Sequence, residues 1–364
     1  MPEEAGADTR RAARLAREAA RRKRQQKALL LTAVAVCVAV AVGVGVWLIS
    51  RPHEPASSAP AVAAVSTETA EPTASVEPSV APVSEEPTAP APVIGKFDVD
   101  LARKHVEVLA GDIGVREAGT DGEREAASYI SAELEKLGYA PSTVKFSLPN
   151  GRTSQNVIAE LPGTGSRRVI LGGHYDTKKP SPGANDNGTG SAALLALAAE
   201  LKDEPLAPTI VFVWFGDEEM IDSNQDHHHY GSRAYVKAMS DAEKAATVAM
   251  LSVDMIGYGP EFRVRTMGKG PQTLQKDLLA FGSANGYSAT YMKDPSKYGY
   301  SDHEPFELAG IPAAWIEWRD DPVYHSTKDV ASHVEWDKVR QAGQLTLDYV
   351  RALDEQRMAT LIGG

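Results

Sequence analysis

The stretch ArgValIleLeuGlyGlyHisTyrAsp, residues 168–176, joins a short apolar run to two glycines and two potential ligands. Residues 168–172 predict a buried strand, and the glycines let a ligand approach the backbone closely. In an open α/β sheet, ligands bind at the carboxyl ends of the strands. His174 is therefore a candidate metal ligand, and Asp176 can hold its other ring nitrogen. Taken alone, the stretch is more typical of a purely structural His–Asp pair.

Four further motifs place acids or a histidine beside predicted strands and helices. They are the loop GlyAlaAsnAspAsnGlyThrGly with Asp186, the pair Glu218-Glu219 after residues 209–215, Asp254 after AlaMetLeuSerVal, and His325 after residues 312–316. Each motif alone has an ordinary interpretation, such as a capped helix-entry turn or a solvated acidic loop. Two histidines and three acids on successive strand ends together predict a metal site.

The pair Glu218-Glu219 has a chemical reason to consist of two acids. Adjacent residues in an extended segment point in opposite directions, so one carboxylate can bind a metal while the other faces a bound water. The apolar strand before the pair weakens its interpretation as a solvated loop. Asp254 also follows a predicted buried strand, where an uncompensated acid would be costly. These acids therefore fit a functional site better than a charged surface.

Strands and helices alternate along the sequence that surrounds these motifs. We predict strands at residues 155–161, 168–172, 209–215, 247–253 and 312–316, and helices at residues 98–110, 122–137, 189–201, 231–239, 273–284 and 336–353. Continuous apolar strands that alternate with helices are typical of parallel sheets covered on both faces. The predicted fold is a three-layer α/β/α domain with a mainly parallel central sheet.

The first 95 residues divide by composition into three segments. Residues 1–27 carry nine Lys/Arg against four acids, residues 28–50 carry no charge, and residues 51–95 contain nine prolines. The uncharged run, at ~1.5 Å per residue, can cross a hydrocarbon core of ~30 Å. The basic segment before it indicates a cytoplasmic N-terminus. We therefore expect one transmembrane helix at 28–50, a disordered Pro/Ala/Glu-rich stalk at 51–95 and an extracellular catalytic domain at 96–364, with cleavage near Ala61 as the alternative.

Charge and cysteine content exclude other classes of function. The net charge is −11, and residues 96–364 account for the whole excess because the charges of residues 1–27 and 51–95 cancel. An acidic domain argues against a nucleic acid as a partner. The only cysteine, Cys37, lies in the uncharged run. Neither a disulfide framework nor a cysteine-based zinc site is therefore expected within one chain.

On the five motifs, the sequence resembles the co-catalytic zinc exopeptidases of the aminopeptidase S and aminopeptidase Y type. The resemblance runs from ArgGluAlaGlyThr at Arg116 to the last predicted helix. It implies two zinc ions per chain, one bound by His174 and Asp254 and the other by Glu219 and His325, with Asp186 bridging both. Glu218 would be the general base that takes a proton from the attacking water, and Tyr324 would help to hold the carbonyl oxygen of the substrate.

One segment departs from the simplest of these aminopeptidases. Eleven residues, Met220 to Tyr230, separate Glu218-Glu219 from Gly231-Ser232. A longer segment here is similar to that of animal-type glutaminyl cyclases, which share the fold, use one zinc and cyclise N-terminal glutamine. We interpret the histidines 227–229 as an exposed polar loop rather than a third metal site, and expect each to be replaceable. Arg319 is interpreted as a surface residue paired with Asp320 or Asp321, with a substrate carboxylate as the alternative partner.

The sequence thus predicts a membrane-anchored zinc aminopeptidase that faces the outside and acts on peptides. A glutaminyl cyclase on the same fold is the second hypothesis. A catalytically silent binding module is the third, and the intact Glu218 and ligand set argue against it. The sequence carries no signal for a particular oligomeric state.

Overall fold

The computed structural model describes residues 95–295 and 297–363. The predicted cytoplasmic segment, the transmembrane helix at 28–50 and the stalk at 51–95 lie outside these residues, apart from Gly95. Within the described ranges, no helix combines the length and apolar character needed to cross a membrane.

An eight-stranded sheet forms the centre of the described domain. Its strands are β1 (Ser142–Ser147), β2 (Thr153–Leu161), β3 (Arg168–His174), β4 (Thr209–Phe215), β5 (Thr247–Val253), β6 (Glu261–Thr266), β7 (Thr290–Lys293) and β8 (Ala313–Arg319). Their spatial order is β1-β2-β4-β3-β5-β8-β6-β7. The four central strands β4, β3, β5 and β8 are parallel, whereas β1 with β2, β2 with β4 and β6 with β8 pair antiparallel. The prediction of a mainly parallel sheet is confirmed.

Helices connect these strands. They are α1 (Val99–Val106), α2 (Asp121–Lys136), α3 (Gly190–Leu201), α4 (Tyr230–Ala238), α5 (Asp241–Ala246), α6 (Thr273–Ala284), α7 (His303–Leu308), α8 (Trp336–Arg351) and α9 (Glu355–Ile362). A π-helical stretch, Glu107–Ile113, continues α1, and another, Ala184–Thr189, leads into α3. The second contains the loop predicted to carry Asp186, and the backbone at Asp186 itself is not helical.

Alternate side chains of the central strands enter different apolar clusters. On β3, Val169 and Leu171 belong to one cluster and Ile170 to the other. The larger cluster includes α3 and α8, and the smaller one includes Val236 of α4 and Phe306 of α7. Because neighbouring strand residues point to opposite faces, two clusters mean two covered faces. The three-layer prediction is therefore confirmed.

The carboxyl ends of the central strands meet at one edge of the sheet. In the parallel register, His174 at the end of β3 lies opposite Phe215 at the end of β4, and Gly172 lies opposite Ser252 near the end of β5. Small residues make this edge tight: a side chain at Gly173 would come within 2.6 Å of the carbonyl oxygen of Val253. Residues that directly follow these strands are consequently brought close together.

Candidate metal centre

His174, Asp186 and Asp254 form one cluster of possible ligands. His174 ends β3, Asp254 directly follows β5, and Asp186 lies in the loop before α3. Nε2 of His174 is 3.4 Å from Oδ1 of Asp186 and 3.4 Å from Oδ1 of Asp254. All three side chains are buried. The structure thus brings together three residues whose sequence positions span 80 residues.

Asp186, Glu219 and His325 form a second cluster, which shares Asp186 with the first. Nε2 of His325 lies 3.1 Å from Oδ2 of Asp186 and 2.8 Å from Oε1 of Glu219. His325 has a left-handed backbone, with φ 56°, and its side chain is 28% exposed. The two carboxylate oxygens of Asp186 therefore face different clusters, which is the arrangement of a bridging ligand.

The chemistry of these five side chains fits zinc, which is bound by imidazole nitrogens and carboxylate oxygens. Four buried atoms, Oδ2 of Asp186, Oε1 of Glu219, Oδ1 of Asp254 and Nε2 of His325, have no partner in hydrogen-bonding geometry within the described residues, although the His325 nitrogen lies within 3.1 Å of the first two. Such atoms are costly unless a cation takes them. Burial and the charge of Asp186 also raise the pKa of Glu219 to about 7. A bound cation would keep these carboxylates ionised together.

Asp176 contacts both the first cluster and the Glu218-Glu219 pair. Its carboxylate accepts the backbone N–H of Glu218 at 3.0 Å and that of Glu219 at 3.3 Å. Nδ1 of His174 is 3.2 Å from the carbonyl oxygen of Asp176 and 3.5 Å from its carboxylate. The predicted contact of Asp176 with the imidazole of His174 is thus made by its carbonyl oxygen as well as by its carboxylate. The carboxylate lies closer to the backbone N–H groups of Glu218 and Glu219, whose position it fixes.

Sequence reasoning missed three residues that hold the ligands in place. Ser301 donates to Oδ2 of Asp254 at 2.7 Å, and the indole N–H of Trp315 donates to the carbonyl oxygen of Asp254 at 2.9 Å. Asp329 accepts the backbone N–H groups of Asn185 and Asp186 at 2.7 and 3.1 Å. Ser301 lies in SerAspHisGluProPhe, which follows the polar stretch 293–300 rather than an apolar strand, so its position gives no signal of a place beside Asp254.

Arg116 secures the loop that carries Asp186. Its guanidinium is fully buried and donates to the carbonyl oxygens of Tyr175, Leu109, Gly114, Pro182 and Gly183, all within 2.9 Å. Burial lowers its pKa to about 10, so the group stays charged at neutral pH. These hydrogen bonds join the end of β3 to the turn at Gly183, which precedes Asp186 in the chain.

Glu218 lies at the centre of the site without belonging to either ligand cluster. Oε2 of Glu218 is 3.9 Å from Nε2 of His174, and Oε1 is 2.7 Å from Nε2 of His229. Burial raises the pKa of Glu218 well above its usual range, and the charge of the neighbouring Glu219 adds to this, whereas cations in the two clusters would lower it. A carboxylate beside the ligands, with one oxygen facing them, is suited to accept a proton from a water.

The histidines of the Met220–Tyr230 segment do not form the exposed polar loop that we predicted. His227 is partly exposed and pairs with Asp222 at 2.8 Å. His228 and His229 are instead 6% and 2% exposed, packed under the segment beside Glu218. The prediction is wrong for these two because the chain turns back here: the N–H of His229 donates to the carbonyl of Glu218, and the N–H of Tyr230 to that of Asp217.

Two cavities open on either side of the ligands. One of about 410 Å³ lies beside Asp254 and is lined by Met255, Met292, Trp315 and Arg319 among others. The other, of about 500 Å³, lies beside His325 and is lined by the Met220–Tyr230 segment and Tyr298. Tyr324, half exposed and stacked on His325, lines both. Arg319 lies 3.5 Å from Asp320, as expected, but it also faces the first cavity.

Known proteins share both sequence and fold with this chain. Aminopeptidase YwaD of Bacillus subtilis is 30% identical over 217 residues, which cover 56% of this chain and 46% of that protein. The chain spans about half the length of the curated relatives it matches first. A zinc aminopeptidase structure from Bacillus subtilis has a TM-score of 0.65 at 20% identity, over 71% of this chain and 96% of that one. An Acidobacteriales bacterium glutaminyl cyclase structure has a TM-score of 0.64 at 22% identity, over 74% and 100%.

At these identities, the two structural matches establish the fold alone. The sequence model described as Peptidase family M28 matches residues 156–350, more than half of the chain. That range contains both ligand clusters, Glu218 and Tyr324. The chain belongs to peptidase family M28.

Proposed function

We propose that this chain is a zinc aminopeptidase that removes N-terminal residues from peptides with two zinc ions. The observation that supports this best is the shared carboxylate of Asp186, whose two oxygens face two complete ligand clusters. The printed names of its relatives, aminopeptidase YwaD and several leucine aminopeptidases, point to the same class of reaction.

His174 and Asp254 would hold one zinc ion, Glu219 and His325 the other, and Asp186 both. Bound zinc would polarise the scissile carbonyl and make a water more acidic. Glu218 accepts the proton of that water through Oε2, the oxygen that faces His174, and returns it to the leaving amine. Asp176 fixes the backbone of Glu218 and Glu219 by accepting hydrogen bonds from their N–H groups. Tyr324, on the rim of both cavities, donates to the developing oxyanion.

Glutaminyl cyclisation is the second candidate function. The observation that favours it is the Met220–Tyr230 segment, which walls the 500 Å³ cavity beside Glu218, together with the fold shared with a glutaminyl cyclase. The two complete ligand clusters favour the peptidase, because the cyclase chemistry requires one zinc.

The two functions are separated by their products. The purified full chain, loaded with zinc, is assayed on a panel of aminoacyl amides and on a peptide with N-terminal glutamine, with metal content measured in parallel. The peptidase predicts release of free amino acids and two zinc ions per chain. Pyroglutamate and ammonia from the glutamine peptide, with no hydrolysis of the amides, would instead establish the cyclase. Glu218→Gln is the control for contaminating peptidases.

We also propose that residues 28–50 anchor the enzyme with its catalytic domain outside the cell. The support is the uncharged run behind a basic segment. Protease added to intact cells should cut within residues 51–97 and release an active fragment. If that fragment appears only after the membrane is broken, the proposed orientation is wrong.

A further inference from the structure

We propose that His229 is a positioning residue that orients the Glu218 carboxylate for proton transfer, an inference that rests on the proposed function. His229 lies near the end of the Met220–Tyr230 segment, eleven residues beyond Glu218 in the chain. Its ring is the one imidazole of the segment that touches Glu218 among the contacts of the described residues.

The contact is made by both the side chain and the backbone of His229. Nε2 is 2.7 Å from Oε1 of Glu218, and the backbone N–H donates to the carbonyl oxygen of Glu218 at 2.9 Å. The ring is 2% exposed. Two bonds to one residue, excluded from water, fix both the position of Glu218 and the rotation of its carboxylate.

This orientation gives the two oxygens of Glu218 different tasks. Oε1 accepts from His229, and Oε2 faces His174 and the ligand clusters at 3.9 Å. A carboxylate oxygen that already accepts a short hydrogen bond is a poorer proton acceptor than its free partner. His229 thereby directs the proton of the attacking water to Oε2, the oxygen on the side of the metal ligands.

The surroundings of His229 favour a neutral ring with its proton on Nε2. Burial lowers the pKa of His229 well below its usual range, and the nearby His228 and Arg233 lower it further. Since the base must be ionised before it acts, the hydrogen of this contact belongs to the ring. Nδ1 on the far side of the ring has no hydrogen-bond partner among the described residues, and Oε2 of Glu304, 3.8 Å away, accepts the N–H of Gly299 instead.

The same residues do not make a third metal site, although His228, His229 and Glu304 are ligand types that lie close together. Arg233 already occupies the space. Its Nη2 is 2.8 Å from Oε1 of Glu304 and 3.0 Å from Nε2 of His228. A permanently charged guanidinium at this distance excludes a second cation. The cluster therefore supports the ring of His229 rather than binding an ion.

The test truncates the ring without disturbing the backbone. His229 has φ 55°, a left-handed conformation that Asn and Gly tolerate. His229→Asn and His229→Gly remove the contact with Glu218, whereas His229→Gln puts an amide N–H near the position of Nε2. His227→Ala is the matched control in the same segment. Each variant of the full chain is made alone and in the Glu218→Gln background, and kcat, KM, zinc content and melting temperature are measured on whichever panel substrate the wild type turns over.

We expect kcat to fall at least ~10-fold in His229→Asn and His229→Gly, because misplacing a catalytic group slightly is costly. KM and zinc content should stay near the wild-type values, and His229→Gln should recover most of the loss. In the Glu218→Gln background, His229→Asn should cause no further loss, since residues that act as one unit are not additive.

Three results would overturn the inference while leaving the proposed function intact: wild-type kcat in both truncations, loss of zinc in them, or a loss that persists undiminished in the Glu218→Gln background. A folded wild-type chain that turns over no substrate of the panel would overturn the proposed function and this inference with it.

Discussion

The metal ligands and the Met220–Tyr230 segment lie side by side around Glu218, but they are held in different ways. The candidate ligands lie at or beyond the ends of β3, β4, β5 and β8, whose backbones are fixed by the sheet. Ser301 holds the side chain of Asp254, whereas Asp176 and Asp329 hold backbone N–H groups at Glu219 and Asp186. Much of the segment is exposed, and it is closed by bonds within itself, such as that from the N–H of Ile221 to the carbonyl of His227.

This difference separates two properties of the enzyme. The proposed metal binding depends on the packed sheet and the residues that support it, so changes there should weaken or remove zinc binding and lower the activity with it. The outer part of the segment borders a cavity without touching a ligand, so changes there should alter how substrate binds. His229 is the residue through which the segment contacts Glu218, the proposed base. The following changes, from the largest expected effect to the smallest, test that division.

Asp186→Ala should remove both zinc ions and all measurable turnover, because one carboxylate serves both clusters. His325→Ala should leave about one zinc per chain, since the cluster of His174 and Asp254 stays intact. Metal analysis of the two purified variants checks this. An Asp186→Ala protein that keeps one tightly bound zinc would show that Asp186 is not a bridge.

Glu218→Gln should lower kcat by ~10²–10⁴-fold, the usual contribution of a general base, with both zinc ions and the fold retained. Glu219→Gln should instead lower zinc occupancy, since its Oε1 faces His325 and Asp186 in the second cluster. Steady-state kinetics and metal content distinguish the two. Near-normal turnover in Glu218→Gln, or full zinc in Glu219→Gln, would mean that the roles of the pair are reversed.

Asp329→Asn should weaken zinc binding by ~10–100-fold, the usual effect of disturbing a group that orients a ligand. The variant keeps the shape of the side chain but has only one oxygen for the N–H groups of Asn185 and Asp186. Competition with a chelator measures the affinity. Asp337→Asn on α8, with a side chain 83% exposed, is the control. If the two variants bound zinc with equal affinity, Asp329 would not be needed to hold Asp186 in place.

Replacing residues 222–226 by Asn-Gly should change KM or the preferred substrate by at most about 10-fold. The ends of this stretch are already joined by the bond between Ile221 and His227, and the replacement keeps His229. Zinc content should not change. His227→Ala, which loses contacts with Asp222 and Asn224 on the outside of the segment, should match the wild type within error. Loss of zinc from the shortened protein would contradict the division between sheet and segment.

Strands buried on both faces were readable from the sequence, and exposed strands were not. The predicted boundaries of β4, β5 and α6 match the structure. β1, β6 and β7 were not predicted. β1 and β7 are short, mostly exposed edge strands, and β6 alternates charged with apolar residues. A strand that is exposed, or that carries a charge at alternate positions as β6 does, has too few apolar residues to be distinguished from a loop by sequence alone.

The sequence by itself predicted the candidate ligands, because acids and histidines at the ends of buried strands need a compensating partner and their motifs resemble those of known zinc exopeptidases. Only the tertiary structure decided what surrounds the ligands. Asp329 accepts the backbone N–H of Asp186, 143 residues away in the chain. His229 contacts Glu218 because the segment turns back on itself, and no residue pattern in the segment predicts that turn. Such contacts need no special residue type or spacing in the chain. They arise where packing brings two polar groups together away from water and each must find a partner.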